Sequence, residues 1–484
     1  MEESVFVHNR TAGRRPGALV PTIRRLIVAL LCTAPLAGCT LYHPKPLPTS
    51  PSLQERVPRR AVTAELLSVP VLRNHPFNPD DGLDITETAI LAVVNNPDLR
   101  TQRDGRGIAR AQLLAAGILP NPQLTAGLDH PTNSAAGLMN AYSLGISYDL
   151  GALITRSAAV GSARAAADKV DWGLIWQEWQ VVQKARLLFI QITAQEERLG
   201  LLDRYQKLLA DRARRTEEAL REGNLTLDMV TGNQTELQAV QTRCHELERT
   251  VHQERQDLNA LLGLAPTVLL RLTGPPLLPE VPPVQLQRAL QLLPRRRPDL
   301  LALQAGYASQ EEQFRQAVLA QFPALNLGVT RARDTSGINT TGIGVTMTLP
   351  IFDRNQGAIA VARATRRQLY DEYQARLNAA YGEVAALQEQ QALLTRQLAA
   401  VHRELPTLKE TARRARAALA AGEIDTNQAV ALQGPWFEKR LEALSLAQTE
   451  LEQRAMLLTL VGADFDDIPS APQLNGKPTE GEVP

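Results

Sequence analysis

The chain has 484 residues, a formal net charge of +1, 4% aromatic residues and three cysteines. So balanced a charge gives no reason to expect nucleic acid as a partner, and scarce aromatics with abundant alanine suit close helix packing better than a thick globular core. Cys32 and Cys39 sit near the start, which leaves Cys244 alone in the body and excludes a disulfide framework or a cysteine metal site there.

Residues 1–38 read as a signal peptide. Arg24-Arg25 precedes an apolar run over 26–37, about twelve residues, too short to span a bilayer and right for a signal core. The run ends Leu36-Ala37-Gly38-Cys39, with small residues directly before a cysteine. This resembles the bacterial lipoprotein box, which implies that Cys39 is lipidated and becomes the first mature residue. Thr40 follows, without the aspartate that retains such proteins at the inner membrane, so the resemblance implies the outer membrane. The stretch before Arg14 is assigned no role.

Residues 39–83 are proline-rich and read as a tether. A helix is predicted from Asp84 to about Leu119, capped by Asp84 or Thr86 and stopped by Pro120 and Pro122. Period two follows. Leu124, Ala126 and Leu128 alternate with Thr125 and Gly127; then Tyr142, Leu144, Ile146 and Tyr148 alternate with Ser143, Gly145 and Ser147. Turn residues between the two runs make 122–150 a β-hairpin. A long helix, a glycine break at Glu222-Gly223-Asn224 and a return helix over 228–262 complete a first repeat, 84–263.

Residues 264–294, rich in leucine and proline, read as a linker or equatorial segment. Residues 295–462 repeat the unit. A helix leads to a hairpin over 322–350, with Leu325, Leu327 and Val329, then Ile343, Val345 and Met347, on one face. A long helix begins near Asn355, breaks at Ala421-Gly422-Glu423, and is followed by a return helix over 426–460. Residues 463–484 read as a disordered tail.

The second long helix carries a seam with alternating steps of three and four: Leu377, Ala380, Val384, Leu387, Gln391, Leu394, Leu398, Val401, Leu405, Leu408, Ala412, Ala415, Leu419. Only Gln391 breaks its apolar character, and a seam of this period is what a coiled coil needs. At 1.5 Å per residue the rod is roughly 100 Å long. Moved back by 199 positions, the seam falls on a weaker copy from Glu178 to Leu220. Pro97-Asp98-Leu99 answers Pro298-Asp299-Leu300, Gly145 answers Gly344, and Gly223 answers Gly422. One unit of about 200 residues is used twice, which overrides the roughly three domains that length alone suggests.

Each strand is about nine residues long with one apolar face and one small or polar face, as in a transmembrane barrel. Four strands cannot close such a barrel, because their edges would expose unpaired backbone groups to lipid. Two copies would give eight strands, a barrel filled by its own side chains. The small groups Gly145, Ser147, Gly342, Gly344 and Thr346 suit the wider lumen of twelve strands from three copies. The expected fold class is therefore mainly α with a small membrane β portion.

The doubled unit, the Asn96-Pro97-Asp98-Leu99 and Arg297-Pro298-Asp299-Leu300 helix starts, the Leu119-Pro120-Asn121-Pro122 exit into the strands, and Leu349-Pro350-Ile351-Phe352-Asp353 with Gly357 resemble the TolC-like outer membrane factors over 84–462. The heavy-metal cation efflux branch is the most similar. The resemblance implies a homotrimer with a twelve-stranded β-barrel on an α-helical periplasmic tunnel, partnered by a periplasmic adaptor (a membrane fusion protein) and an inner-membrane pump of the RND type. It implies tips that touch the adaptor at Gly223, Asn224, Leu225, Gly422, Glu423 and Ile424. A periplasmic gate is expected among Asp228, Asp425, Asn427 and Gln428, although Ala431-Leu432-Gln433 stands where the family commonly has Asp-Ala-Gln. Asp425 also suits a helix N-cap.

No catalytic constellation is present: no phosphate-binding glycine loop and no nucleophile elbow. His245 and His252 share a helix face but lie about 10 Å apart, too far to ligate one ion. Neither metal nor cofactor is expected. The function expected is a passive outer-membrane duct exporting metal cations or drugs; the alternative is a structural coiled-coil lipoprotein of the periplasm without a pore.

Overall fold

The computed structural model describes residues 42–58, 70–73, 75–132 and 137–462. The signal peptide, Cys39 and the tail from 463 lie outside them. The chain divides into two units, Met1–Ser52 and Leu53–Pro484. In the first, residues 42–52 contain no helix or strand. All that follows concerns the second.

After a single helical turn at Pro70–Arg73, Asp84 starts α1 (Ile85–Asn95) through a capping box: its carboxylate accepts from Thr86 N and Glu87 N, and the Glu87 carboxylate accepts from the Asp84 N–H. The single helix expected over 84–119 is in fact two, α1 and α2 (Pro97–Gly117). Pro97 lacks an N–H and drives Asn96 out of the helical region, to ψ 125°. Asn96 then caps the new helix, accepting from Leu99 N at 2.9 Å, while its Nδ2 donates to Leu261 O at 3.0 Å. Next come β1 (Gln123–Asp129), β2 (Ala141–Asp149), the 71-residue α3 (Gly151–Arg221) and α4 (Leu227–Leu261).

A second correction concerns 264–294. Its last third is helical: α5 (Pro283–Arg296) leads into α6 (Pro298–Leu319), broken at Arg297-Pro298 as α1 and α2 are at Asn96-Pro97. Of the prolines that made this segment read as linker, Pro283 sits in the first turn, where a helix tolerates it, and Pro294 lies inside the last turn, where the Leu290 carbonyl it leaves without an N–H accepts from the Tyr381 hydroxyl at 2.9 Å. The second half of the duplication thus starts near 283. It continues through β3 (Leu325–Arg333), β4 (Asn339–Met347), the 65-residue α7 (Gln356–Ala420) and α8 (Thr426–Val461).

The mainly helical fold class holds. Every position of the α7 seam is buried or half-buried, and so is every position of its copy in α3. Their surroundings differ. α3 packs against α1, α2, α4, α6 and α8, whereas α7 packs mainly against α6 and α8. Residues beyond its seam, Trp179, Val182, Phe189 and Ile190 among them, are therefore buried in α3. The main core gathers Ile90, Leu91 and Val93 of α1, Trp179, Leu188 and Ile192 of α3, and Leu258, Leu261 and Leu264.

Arg297 ties the halves together. Its guanidinium is 1% exposed, bonds Asp299 at 2.8 Å and Glu383 of α7 at 3.2 Å, and lies 5.0 Å from the Trp176 ring centre on α3. Arg376 closes the network on Asp299 and Glu383.

Candidate functional site

Three features of the second unit have no structural partner among the described residues: one face of the sheet, the edges of the sheet, and the helix tips. The strands form one antiparallel sheet in the order β1-β2-β3-β4. Leu124 pairs with Ile146, Ile146 with Val329, and Val329 with Ile343. Because directly opposed residues share a face, one apolar surface runs across all four strands, from Leu124 and Leu128 to Val345 and Met347. No described residue covers it: Leu124 is 72% exposed and Ile343 79%. A continuous apolar face of this kind needs lipid or protein against it.

The opposite face is small and polar. Gly145 lies between Thr125 and Thr330, and Ser147 pairs with Gly328, which pairs with Gly344. A Cβ on Gly145 would meet Thr125 Oγ1 at 2.7 Å, so the threonine rows require glycine there. Around Gly344 there is open space. β1 and β4 each pair on one side only, leaving two edges of unmatched backbone groups. Where the sheet meets the helices, Phe352 is 92% exposed. There the chain turns through Asn355 at φ 61°, held by Asp353 Oδ1 on its N–H and by its own Nδ2 on Ala317 O.

At the far ends of the rods the two breaks are built alike. Gly223 and Gly422 have φ +75° and +73°. Each lets the chain close a Schellman turn, with Asn224 N on Ala219 O at 2.8 Å and Glu423 N on Ala418 O at 2.9 Å. Leu225 and Ile424 are half-buried behind them, and Asn224 and Glu423 are exposed.

The four residues singled out for a gate are not alike. Asp425 caps α8, accepting from Gln428 N at 2.7 Å, so its carboxylate is engaged locally. The Gln428 side chain is exposed. Asp228 is exposed, and the Thr226 hydroxyl holds its carboxyl below the usual range. Asn427 alone crosses between the halves, accepting from Asn233 Nδ2 at 3.1 Å.

Further links within and between the two helical hairpins were not legible in the sequence, since they depend on how the helices lie side by side. Tyr205 of α3 stacks on Phe437 of α8 at 4.7 Å and donates to Glu236 of α4 at 2.7 Å. Arg212 pairs with the same carboxylate. Burial pushes the Glu236 carboxyl up, but the bonds from Arg212 and Tyr205 outweigh it and hold the group below its ordinary value. Arg243 meets Glu438 and Arg440 meets Glu197, both between halves. Cys244 is buried, and burial raises its thiol. Among the described residues no group of three or more His, Cys, Asp or Glu could hold a metal, and no helix is long and apolar enough to cross a membrane.

Residues 289–463 match the family of outer membrane efflux proteins. The cobalt-zinc-cadmium resistance protein CzcC of Cupriavidus metallidurans is 25% identical over 314 residues, 63% of this chain and 71% of that protein. Among solved structures, the transmembrane channel CusC superposes at a TM-score of 0.64 with 18% identity, covering 85% of this chain and 99% of its own. The open-state outer membrane channel MtrE of Neisseria gonorrhoeae gives 0.64 and 18%, with 87% and 97% covered. The outer membrane protein VceC of Vibrio cholerae gives 0.62 and 14%, with 78% and 96% covered.

Proposed function

We propose that this outer membrane efflux protein works as a passive duct: three copies join their sheets into one twelve-stranded barrel in the outer membrane, and their rods form the tunnel below it. The observation that carries this reading is the four-stranded sheet with one uncovered apolar face, one small polar face and two open edges. Edge pairing with neighbouring copies satisfies the backbone, lipid covers the apolar face, and water fills the side lined by Gly145, Ser147, Gly344 and Thr346. A periplasmic rod without a pore has no use for such a sheet.

No reaction is assigned to the chain. The adaptor-facing tips are Gly223 to Leu225 and Gly422 to Ile424. The gate is assigned to the inter-hairpin contacts, of which Asn427 on Asn233 is the one made by an anticipated residue. An inner-membrane pump of the RND type and a periplasmic adaptor complete the path. Likeness to a cobalt-zinc-cadmium resistance protein favours divalent metal cations as the exported class. Cys39 carries the lipid anchor; Cys39→Ser should abolish labelling by a fatty-acid probe, and unchanged labelling would refute the anchor.

The mass of the detergent-extracted assembly tests the reading. Three copies are expected. A monomer, a dimer or any number not divisible by three overturns the shared barrel.

A further inference from the structure

The apolar face of the sheet changes character at one end. Following β3 along that face, Leu325, Leu327 and Val329 give way to Arg331 and Arg333. Arg331 stands in a row with Leu144 and Thr341, and Arg333 with Tyr142 and Asn339. These two arginines are the only cations in the four strands, and both lie on the apolar face. No carboxylate shares that face: Asp129 and Asp149 belong to the polar one, and Asp334 in the turn spends its Oδ1 on Ser336 N and Ile338 N. Neither arginine forms an ion pair among the described residues. Pairing with further copies supplies no carboxylate either, because the same four strands would make up every neighbour.

Their depth is fixed by the connections. The helices join the sheet at the end marked by Gln123, Asp149, Leu325 and Met347, and the two hairpin loops close the other. Arg331 and Arg333 are therefore at the end remote from the helices. Arg333 packs over Tyr142, with its guanidinium 5.2 Å from the ring centre and its Nη2 on Asn140 O at 3.0 Å. Tyr142 in turn donates to Asn339 Oδ1 at 3.2 Å. This row anchors Arg333 at the loop end. The Arg331 side chain, exposed and two residues deeper, makes no hydrogen bond to the described residues.

Arginine on a lipid-facing strand is strongly unfavourable at mid-bilayer and nearly neutral at the interface. An unpaired pair of them spaced about 7 Å along one strand, beside a tyrosine of the interfacial kind, matches phosphate oxygens at headgroup depth, which guanidinium groups bind as a planar fork. With the helices on the periplasmic side, that depth belongs to the outer leaflet. We propose that Arg331 and Arg333 form, in each copy, a binding site for the phosphates of the anionic glycolipid of the outer leaflet. This rests on the reading of the sheet as a barrel wall.

Native mass spectrometry of the purified full-length protein, titrated with bisphosphorylated lipid A, its dephosphorylated form or phosphatidylglycerol, tests the site. The wild type should retain the phosphorylated glycolipid about tenfold or more better than Arg331→Gln/Arg333→Gln. Both proteins should bind the dephosphorylated form alike, and Arg403→Gln, in α7, should match the wild type. Arg331→Lys/Arg333→Lys, which keeps the charge and loses the fork, should fall between, and carries the test if the glutamine pair does not assemble. Equal retention by wild type and variants overturns the proposal. So does wild-type binding of the dephosphorylated lipid as strong as that of the phosphorylated one, or a preference for phosphatidylglycerol. The same spectra report copy number: a trimer indifferent to the lipid sinks this site alone, whereas a protein that forms no trimer sinks the barrel reading and the site with it.

Discussion

Ile146 on β2 lies directly opposite Val329 on β3, and that pairing joins strands of different repeats into one sheet. The duplication therefore closes on itself: each half supplies a hairpin, and the halves share a face. Because Val329 also pairs with Ile343, a single charge on this surface lies in a row of branched apolar side chains. Arginine at Ile146 or Val345 should destabilise the assembled protein by about 2–4 kcal/mol. Arginine at Gly344, on the other face and in open space, should leave assembly intact and lower single-channel conductance in planar bilayers. Retention of the oligomer on semi-native gels separates the two classes.

The tips permit a second test. Gly223 and Gly422 meet nothing in the place a Cβ would occupy, so only their positive φ resists substitution. Valine at either should cost about 1–2 kcal/mol locally and loosen the turn without dissolving the rods. Crosslinking to the adaptor and export should fall while helical content and copy number stay unchanged. Normal export with both glycines replaced would count against a tip interface.

Acid should weaken the link between α3 and α4 within the first hairpin. The Glu236 carboxyl titrates below its ordinary value in the folded protein, despite the opposing effect of burial, because Arg212 and Tyr205 bond its charged form. A depressed carboxylate contributes stability that is fully present above the unfolded value and is lost as pH falls through the folded one. Thermal unfolding should thus drop as pH is lowered from about 6 to about 3, and Glu236→Gln should make that drop shallower. An unchanged slope would mean that Glu236 does not carry the effect.

Arg297 makes a stronger demand on the fold. Removing it leaves Glu383 with Arg376 alone and opens space over Trp176. Arg297→Ala should cost about 1.5–3 kcal/mol, the range for losing hydrogen bonds to charged groups, because Arg376 still compensates both carboxylates. Asn96, its counterpart in the first half, bonds the backbone and carries no charge, so Asn96→Ala should cost about 1–2 kcal/mol. Scanning calorimetry orders the two.

Most of this architecture is written in periodicity. The seam from Leu377 to Leu419 and the alternation from Ile343 to Met347 are local patterns, and local patterns fix rods and strand faces. The break at Asn96 was also present in the chain as a proline, yet apolar residues continue across it, and a helical period alone does not register a missing N–H. Pro283 and Pro294 misled in the opposite sense, because a proline in the first turn is compatible with a helix and the carbonyl orphaned by Pro294 finds the Tyr381 hydroxyl from a distant part of the chain. The contacts of Tyr205 with Phe437 and of Asn233 with Asn427 could not be anticipated. They depend on the lateral register of two hairpins, and no sequence separation encodes it.

Cysteine accessibility at two adjacent residues tests the central claim most directly. Val345 and Thr346 are neighbours on β4 whose side chains take opposite faces of the sheet. In protein reconstituted into vesicles, a water-soluble maleimide should label Thr346→Cys from the lumen and leave Val345→Cys shielded by lipid. Labelling of Val345→Cys with protection of Thr346→Cys would contradict the duct.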